Sequence, residues 1–246
     1  MSDTKYAYAV ARIRALENGL FSSAQIEQLL SVKSYEGALR FLTEHGWGDA
    51  DTPLSAEAIL TREKAKSWET VRDLLKGDDA ILAVLSYGDL YHNLKAAIKD
   101  AAAPGSHGNV YFDDCEVDGA RMSKIVAEKD WQALPAHMRE AAKEASETFL
   151  HTGDGQLCDI IVDRSALAAI YGCGKNASDA IIRDYAETTV AVADIKIAVR
   201  SQKTGKHLDF MRRAMAPCDS LNIERLSQAA LGGVGAICEY LEGTRY

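Results

Sequence analysis

The stretch Gly172–Ala177, GCGKNA, has the G-x-G-x-x-A spacing of a dinucleotide-binding turn, and Asp194 follows at a distance suited to a ribose contact. That chemistry needs a strand ahead of the glycines, so that the turn presents a helix N-terminus to the pyrophosphate. The residues upstream, SALAAIY, read as helix, so the two glycines are expected to close a helix and to bind no nucleotide. Lys175 and Lys206 each follow a glycine. Neither has the earlier glycine or the following Ser/Thr of a phosphate-cradling loop, so the chain is not expected to hydrolyse ATP itself. The six histidines, His45, His92, His107, His137, His151 and His207, show no His-Glu-x-x-His or other ligand spacing. No Gly-x-Ser-x-Gly elbow occurs, and no carboxylate pair stands out for acid–base work. The expectation is a protein with no catalytic residue, no metal and no cofactor.

What remains is charge. Arg200, Lys203, Lys206, Arg212 and Arg213 lie within fourteen residues of a chain whose formal net charge is −8. Either they form a solvated helix end, or they meet acidic side chains of a partner. In the second case they would orient docking and set its salt dependence more than its affinity. Lys95, Lys196 and Arg200 carry the same ambiguity: they pair with helix carboxylates such as Asp194, or they face a partner.

The overall acidity disfavours nucleic acid, whose binding draws most of its affinity from a basic face. Hydrophobic residues make up 47% and charged residues 26% of 246, an ordinary soluble composition with enough chain for a sizeable core. The cysteines are odd in number and form no Cys-x-x-Cys, which implies a reducing compartment and free, mostly buried thiols. The N-terminus MSDTKYAYAV lacks the apolar centre of a signal peptide, and no apolar run approaches the roughly 18–20 residues that span a bilayer. A cytosolic or membrane-peripheral protein is expected.

The elements that must position these charges read as helices. Ser22-Ser23-Ala24-Gln25 has the form of a capping box ahead of Ile26, Leu29 and Leu30, and Ser34 is placed to cap YEGALRFLTEH. A helix is expected from Thr52 as cap and Pro53 as first residue, with Ile59, Leu60, Trp68, Val71 and Leu75 in register and Gly77 as its stop. Another should run from about Asp79 to Ala103, ended by Pro104-Gly105, before a long loop, APGSHGNVYFDDCEVDG. LCDIIVD tempts one towards a strand. TTVAVADIKIAV alternates too, but its period-2 face flips midway, whereas a helix keeps one stripe: Ile181, Tyr185, Thr188, Val192, Ile195 and Val199. A helix is the expectation there.

The helices repeat. A shift of 101 positions carries Asn93-Leu94-Lys95 onto Asp194-Ile195-Lys196, and Ala97-Ile98-Lys99 onto Ala198-Val199-Arg200. Ile13-Arg14 followed by Gly19 is a weaker third copy. GALRFLTEHGW, Gly37 to Trp47, echoes AICEYLEGTRY, Ala236 to Tyr246. Units of this kind stack to bury a shared core, which favours a scaffold over an enzyme with one site. On the residues alone, a soluble helical-repeat adaptor for some unrelated partner stays open.

YAYAVARIRALENGLFS followed by IEQLLSVKSYEGALRFLTEHGW resembles the opening of the C-subunit family of the V-type and A-type ATPases (ATP synthases), which is related to the eukaryotic d-subunit. DLYHNLKAAIK and VADIKIAVRSQKTGKHLDFMRRAM resemble that family's second and third helical signatures. The resemblance spans about Tyr6 to Tyr246 and rests on the order of several diffuse motifs. It implies an all-α, funnel-like protein of three pseudo-equivalent lobes, here about 1–77, 78–175 and 176–246. It further implies a non-catalytic rotor subunit on the cytoplasmic side, with the central-stalk subunits and the membrane rotor ring as partners and no small-molecule substrate. Such a subunit is peripheral to the membrane through the ring. The family pattern continues past the position of Tyr246 with helices that complete the third lobe, so that lobe is expected to be incomplete, and an apolar patch left exposed there would make the chain self-associate.

Overall fold

In the computed structural model, which describes residues 6–75, 79–102, 110–112 and 115–246, the protein is all-α. Among the described residues there are twelve α-helices, two 3-10 turns and no strand. The chain divides into two compact units, Met1–Asp78 and Asp79–Tyr246.

The first unit contains α1 (Ala7–Glu17), α2 (Ser23–Ser31), α3 (Tyr35–Glu44) and α4 (Ala56–Leu74). Local chemistry starts these helices. The Ser22 hydroxyl accepts from the Gln25 backbone N–H, and the Gln25 side chain accepts from the Ser22 N–H, a reciprocal capping box. Ser34 accepts from Gly37 N–H at 3.1 Å. The predicted start of α4 is corrected: Ser55, not Thr52, is the cap, and it accepts from Ala58 N–H. Thr52 is spent on an earlier turn, where its hydroxyl accepts from Asp49 N–H at 2.8 Å. The predicted stop at Gly77 lies outside the described residues. Leu39, Leu42 and Ile59 form a small core with Phe21, Leu29 and Trp47 against it, Trp47 stacking on Phe21 at 5.2 Å. Because this core is small, a lost cap should be felt. Ser22→Ala is expected to cost about 1 kcal/mol, read as a lower denaturant midpoint for this unit.

The second unit contains α5 (Asp79–Ala102), α6 (Gly119–Glu128), α7 (Arg139–Thr152), α8 (Gly155–Lys175), α9 (Ala180–Lys203), α10 (Leu208–Ala214), α11 (Ile223–Leu231) and α12 (Val234–Glu242). Within it α8 packs against α5, α7 and α9. Leu90, Leu94, Met122, Met138, Ala142 and Val162 anchor the larger core, and Met211, Met215, Leu226 and Ile237 anchor a second one under α9. The predicted second helix is described to Ala102, and Ala103, Pro104 and Gly105 lie outside the described residues. Of the predicted long loop, Val110–Phe112 and Cys115–Asp118 are described and non-helical.

The repeat has a structural counterpart. The same 101-position shift carries the described span of α5, Asp79–Ala102, onto residues within α9, so a helix lies on a helix. Leu90 and Ala191, Asn93 and Asp194, and Ala97 and Ala198 are each buried pairs under that shift. LCDIIVD lies inside α8 and TTVAVADIKIAV inside α9. The glycine pair falls in the last turn of α8, with helix and not strand before it.

The predicted stripe of α9 is covered only in part: Ile195 and Val199 pack against the core under α9. The fully buried residues of α9 are Ala186, Val190, Ala191, Asp194, Ala198 and Ser201, while Ile181 is 81% and Tyr185 45% exposed. At Ala186, α8 approaches closely. A Cβ added at Gly174 would lie 2.2 Å from the Cβ of Ala186, so at that crossing only small side chains fit. The expectation of mostly buried thiols is corrected as well: Cys158 is buried, Cys115, Cys173 and Cys218 are half-buried, and Cys238 is exposed.

Candidate functional site

Two buried polar side chains occupy equivalent places in the repeat, and each fastens a non-helical segment to its helix. On α5, Asn93 Nδ2 donates to the Phe112 carbonyl and Phe112 N–H donates to Asn93 Oδ1, both at 2.8 Å. On α9, Asp194 Oδ1 accepts from Ala216 N–H at 3.0 Å, while its buried Oδ2 has no hydrogen-bond partner. Burial pushes the Asp194 carboxyl up to about 7, against the smaller opposing pull of the Ala216 N–H and the Arg164 guanidinium. Asp194 is therefore a structural pin. It is neither a ribose ligand nor the ion-pair partner of Lys196 or Arg200.

The structure separates the predicted cations into two groups. Lys95 pairs with Asp163 at 2.6 Å, and Lys99, one turn on, pairs with Asp159 at 2.7 Å, two rungs between α5 and α8. Arg212 embraces Glu224 and also reaches Asp209 at 3.3 Å. Arg213 approaches Glu144 of α7 at 3.6 Å. Lys206 donates to Gln156 Oε1 at 2.6 Å and lies over the Phe210 ring at 4.9 Å. Lys196, Arg200 and Lys203 have no ion pair among the described residues. Their four- and three-residue spacing puts them along one stripe of α9.

That stripe continues towards the start of α9 as Val192, Thr189, Tyr185 and Ile181. With Leu167 of α8 and Lys196, these residues line an open groove of about 700 Å³. A second cleft, of about 430 Å³, lies between Tyr171, Arg183, Asp184, Glu187, Asp219 and Arg245. Its charges are engaged within the chain. Arg245 pairs with Asp184 at 2.9 Å, Arg183 donates to the Ala177 and Ser178 carbonyls, and Glu187 accepts from the Asp219 and Ser220 N–H groups.

One buried network carries no sequence signature. The Tyr91 hydroxyl lies 2.9 Å from His137 Nδ1 and 3.0 Å from the His137 carbonyl, with Ser165 Oγ at 3.3 Å. Burial pushes the Tyr91 phenol up to about 12 and the His137 imidazole down, so both are held neutral. With both groups neutral and tied to one another, the network joins α5, α8 and the turn before α7. Tyr91→Phe leaves its partners without the hydroxyl and should lower stability by about 1–2 kcal/mol, measured by urea denaturation.

The second unit thus offers a helical scaffold, internally pinned, in which Lys196, Arg200 and Lys203 of α9 have no ion pair among the described residues. The sequence profile of the ATP synthase (C/AC39) subunit family matches residues 9–246. The chain belongs to that family, and membership implies a place in an ATPase complex. No curated protein matches the sequence at significant similarity. No helix among the described residues is long and apolar enough to cross a membrane.

Proposed function

We propose that this protein is a non-catalytic rotor subunit of a V/A-type ATPase, joining the central stalk to the membrane ring and transmitting torque for ATP-coupled ion transport. The observation that carries this reading is the family match across residues 9–246. The repeat register supports it. Helical lobes, about 1–77, 78–175 and 176–246, would each be stiff, because close-packed interiors resist compression. A stiff body is what passes torque between two interfaces without making or breaking a bond. The subunit would be peripheral, on the cytoplasmic side, and held to the membrane through the ring. Of the cations nominated for partner contact, Lys196, Arg200 and Lys203 are the ones left to make it.

The test is co-purification of the tagged chain with stalk and ring subunits of the same genome, at low and high salt. The expected result is retention at low salt that weakens as salt rises, because exposed charge contacts are screened beyond about 10 Å at 0.1 M salt. Clean separation from both partners at low salt would overturn the reading.

A further inference from the structure

The segment between α10 and α11 is a strap laid on α9 and held there by two carboxylates. Pro217 disfavours helix at the residue before it, so α10 stops at Ala214 and the Ala216 N–H is left for another acceptor. Asp194 Oδ1 takes it at 3.0 Å. Seven residues earlier on the same face of α9, Glu187 takes the N–H groups of Asp219 at 3.1 Å and Ser220 at 2.7 Å. The two catches differ. Burial by itself would raise Glu187, but the hydrogen bonds from Ser220 and Asp219 outweigh it and hold its carboxyl below the ordinary range. Glu187 is thus charged and satisfied. Asp194 is fully buried, and its Oδ2 has no hydrogen-bond partner among the described residues. A charge placed there has one N–H to share between two oxygens. Asn93, at the equivalent place on α5, does the same task with an amide, which cannot ionise.

We propose that the strap Ala216–Leu221 is a proton-controlled latch, closed on α9 while Asp194 is protonated and opened at its Ala216 end when Asp194 ionises, with Glu187 as the tether of its Ser220 end. Little around Asp194 offsets the charge. Of the elements packed against α9, α8 presents Arg164, which is exposed and whose pull on Asp194 is weaker than that of the Ala216 N–H. The strap presents Cys218, whose thiol is pushed up by burial and stays neutral. Val84 of α5 packs in one cluster with Ala186, and α10, α11 and α12 bring the apolar Met211, Leu226 and Ile237. Opening lets water reach both carboxylate oxygens, which costs less than leaving the charge dry. The closed carboxyl stands near 7, and an open, wetted aspartate near 4. The proton's contribution to closure is therefore fully present below pH 4, declines as pH rises from 4 to 7, and is lost above 7. A non-helical segment pinned by few bonds is the kind that opens below the free energy of global unfolding. All of these residues lie in the second unit, and none has a part in the rotor reading.

Hydrogen exchange of the full-length protein tests this, read at single amides from pH 5 to pH 8 and corrected for intrinsic rates. The Ala216 N–H is the reporter, while Ala191 and Ala198, buried within α9, report global opening. At pH 7 Ala216 is expected to exchange at least about 100-fold faster than those two, through an opening that about 1 M urea does not speed. Its protection should fall about tenfold per pH unit between pH 5 and pH 7, the slope of one proton, and level off by pH 8. Asp194→Asn keeps the oxygen that accepts from Ala216 and removes the titration, so in that variant the slope should vanish. Equal protection at Ala216 and in α9 would overturn the latch, since only the whole unit would then open. So would a slope that survives Asp194→Asn, because the titrating group would lie elsewhere. A flat profile in the parent would overturn it too, because Asp194 would then ionise without releasing the strap.

Discussion

Asp194→Asn is expected to stabilise the protein by about 2 kcal/mol at pH 8 and to remove a fall in stability between pH 4 and pH 7. Asp194 has no exposed surface, its Oδ1 accepts from Ala216 N–H, and burial holds its folded carboxyl near 7. In the unfolded chain an aspartate titrates near 4. The folded state therefore keeps a proton that the unfolded state releases. The stability linked to this group is fully present below pH 4, declines as pH rises and is lost above pH 7. At about 1.4 kcal/mol per unit, the decline amounts to roughly 4 kcal/mol. Asparagine keeps the oxygen that accepts from Ala216 and carries no charge to desolvate. Its Nδ2 would stand at the Oδ2 position, which has no partner, and a buried orphan donor costs about 1–3 kcal/mol, so the net gain is smaller than the full decline. Urea denaturation of both proteins at pH 4, 6 and 8 checks this. The variant should be equal or weaker at pH 4 and stronger at pH 8. A difference between the two that does not change with pH would refute the assignment. Asn93, which already holds the equivalent position on α5, shows that the repeat accepts the amide where an acceptor is available.

The second large effect belongs to Gly174. Gly174→Val should destabilise the protein by about 3 kcal/mol or more, a fall of roughly 6–12 °C in Tm. Any Cβ there meets the Cβ of Ala186 at 2.2 Å, an atom fixed to its own backbone, so α8 and α9 must separate along their length. Combining it with Ala186→Gly should recover part of the loss, since contacting sites couple. The control is two residues away. A Cβ at Gly172 meets nothing within 4 Å, so Gly172→Ala should be neutral or stabilising by about 0.5–1 kcal/mol. Equal sensitivity at both glycines would mean that helix contact is not what selects glycine at Gly174. The opposite responses expected here assign the G-x-G spacing to packing, at one of its two positions.

Much of this molecule was decided by its sequence alone. Ser22 and Ser34 cap helices because a hydroxyl three residues from an unpaired N–H needs no distant partner. The helical nature of α9 follows from a period-2 face that flips within one run. The 101-position register needs only comparison of the chain with itself, and the buried pairs Leu90 and Ala191, Asn93 and Asp194, and Ala97 and Ala198 obey it. Even the local reading had limits: Thr52 and Ser55 are both competent caps, and the Asp49 turn decided between them.

Only the tertiary structure decided which face of each helix is inside. Period fixes that a stripe exists. The distance of the neighbouring helix fixes how large a side chain can enter: where Gly174 of α8 meets α9 the residue is Ala186, while Tyr185 and Ile181 are exposed. Lys95 and Lys196 have the same sequence surroundings and different fates. The carboxylate that claims Lys95 is 68 residues away on α8, while Lys196 has no ion pair among the described residues. Tyr91 and His137, 46 residues apart, meet for the same reason. Local spacing encodes contacts along one helix. Contacts between helices depend on side-chain volumes and approach distances summed over the whole core, which no single stretch of sequence contains.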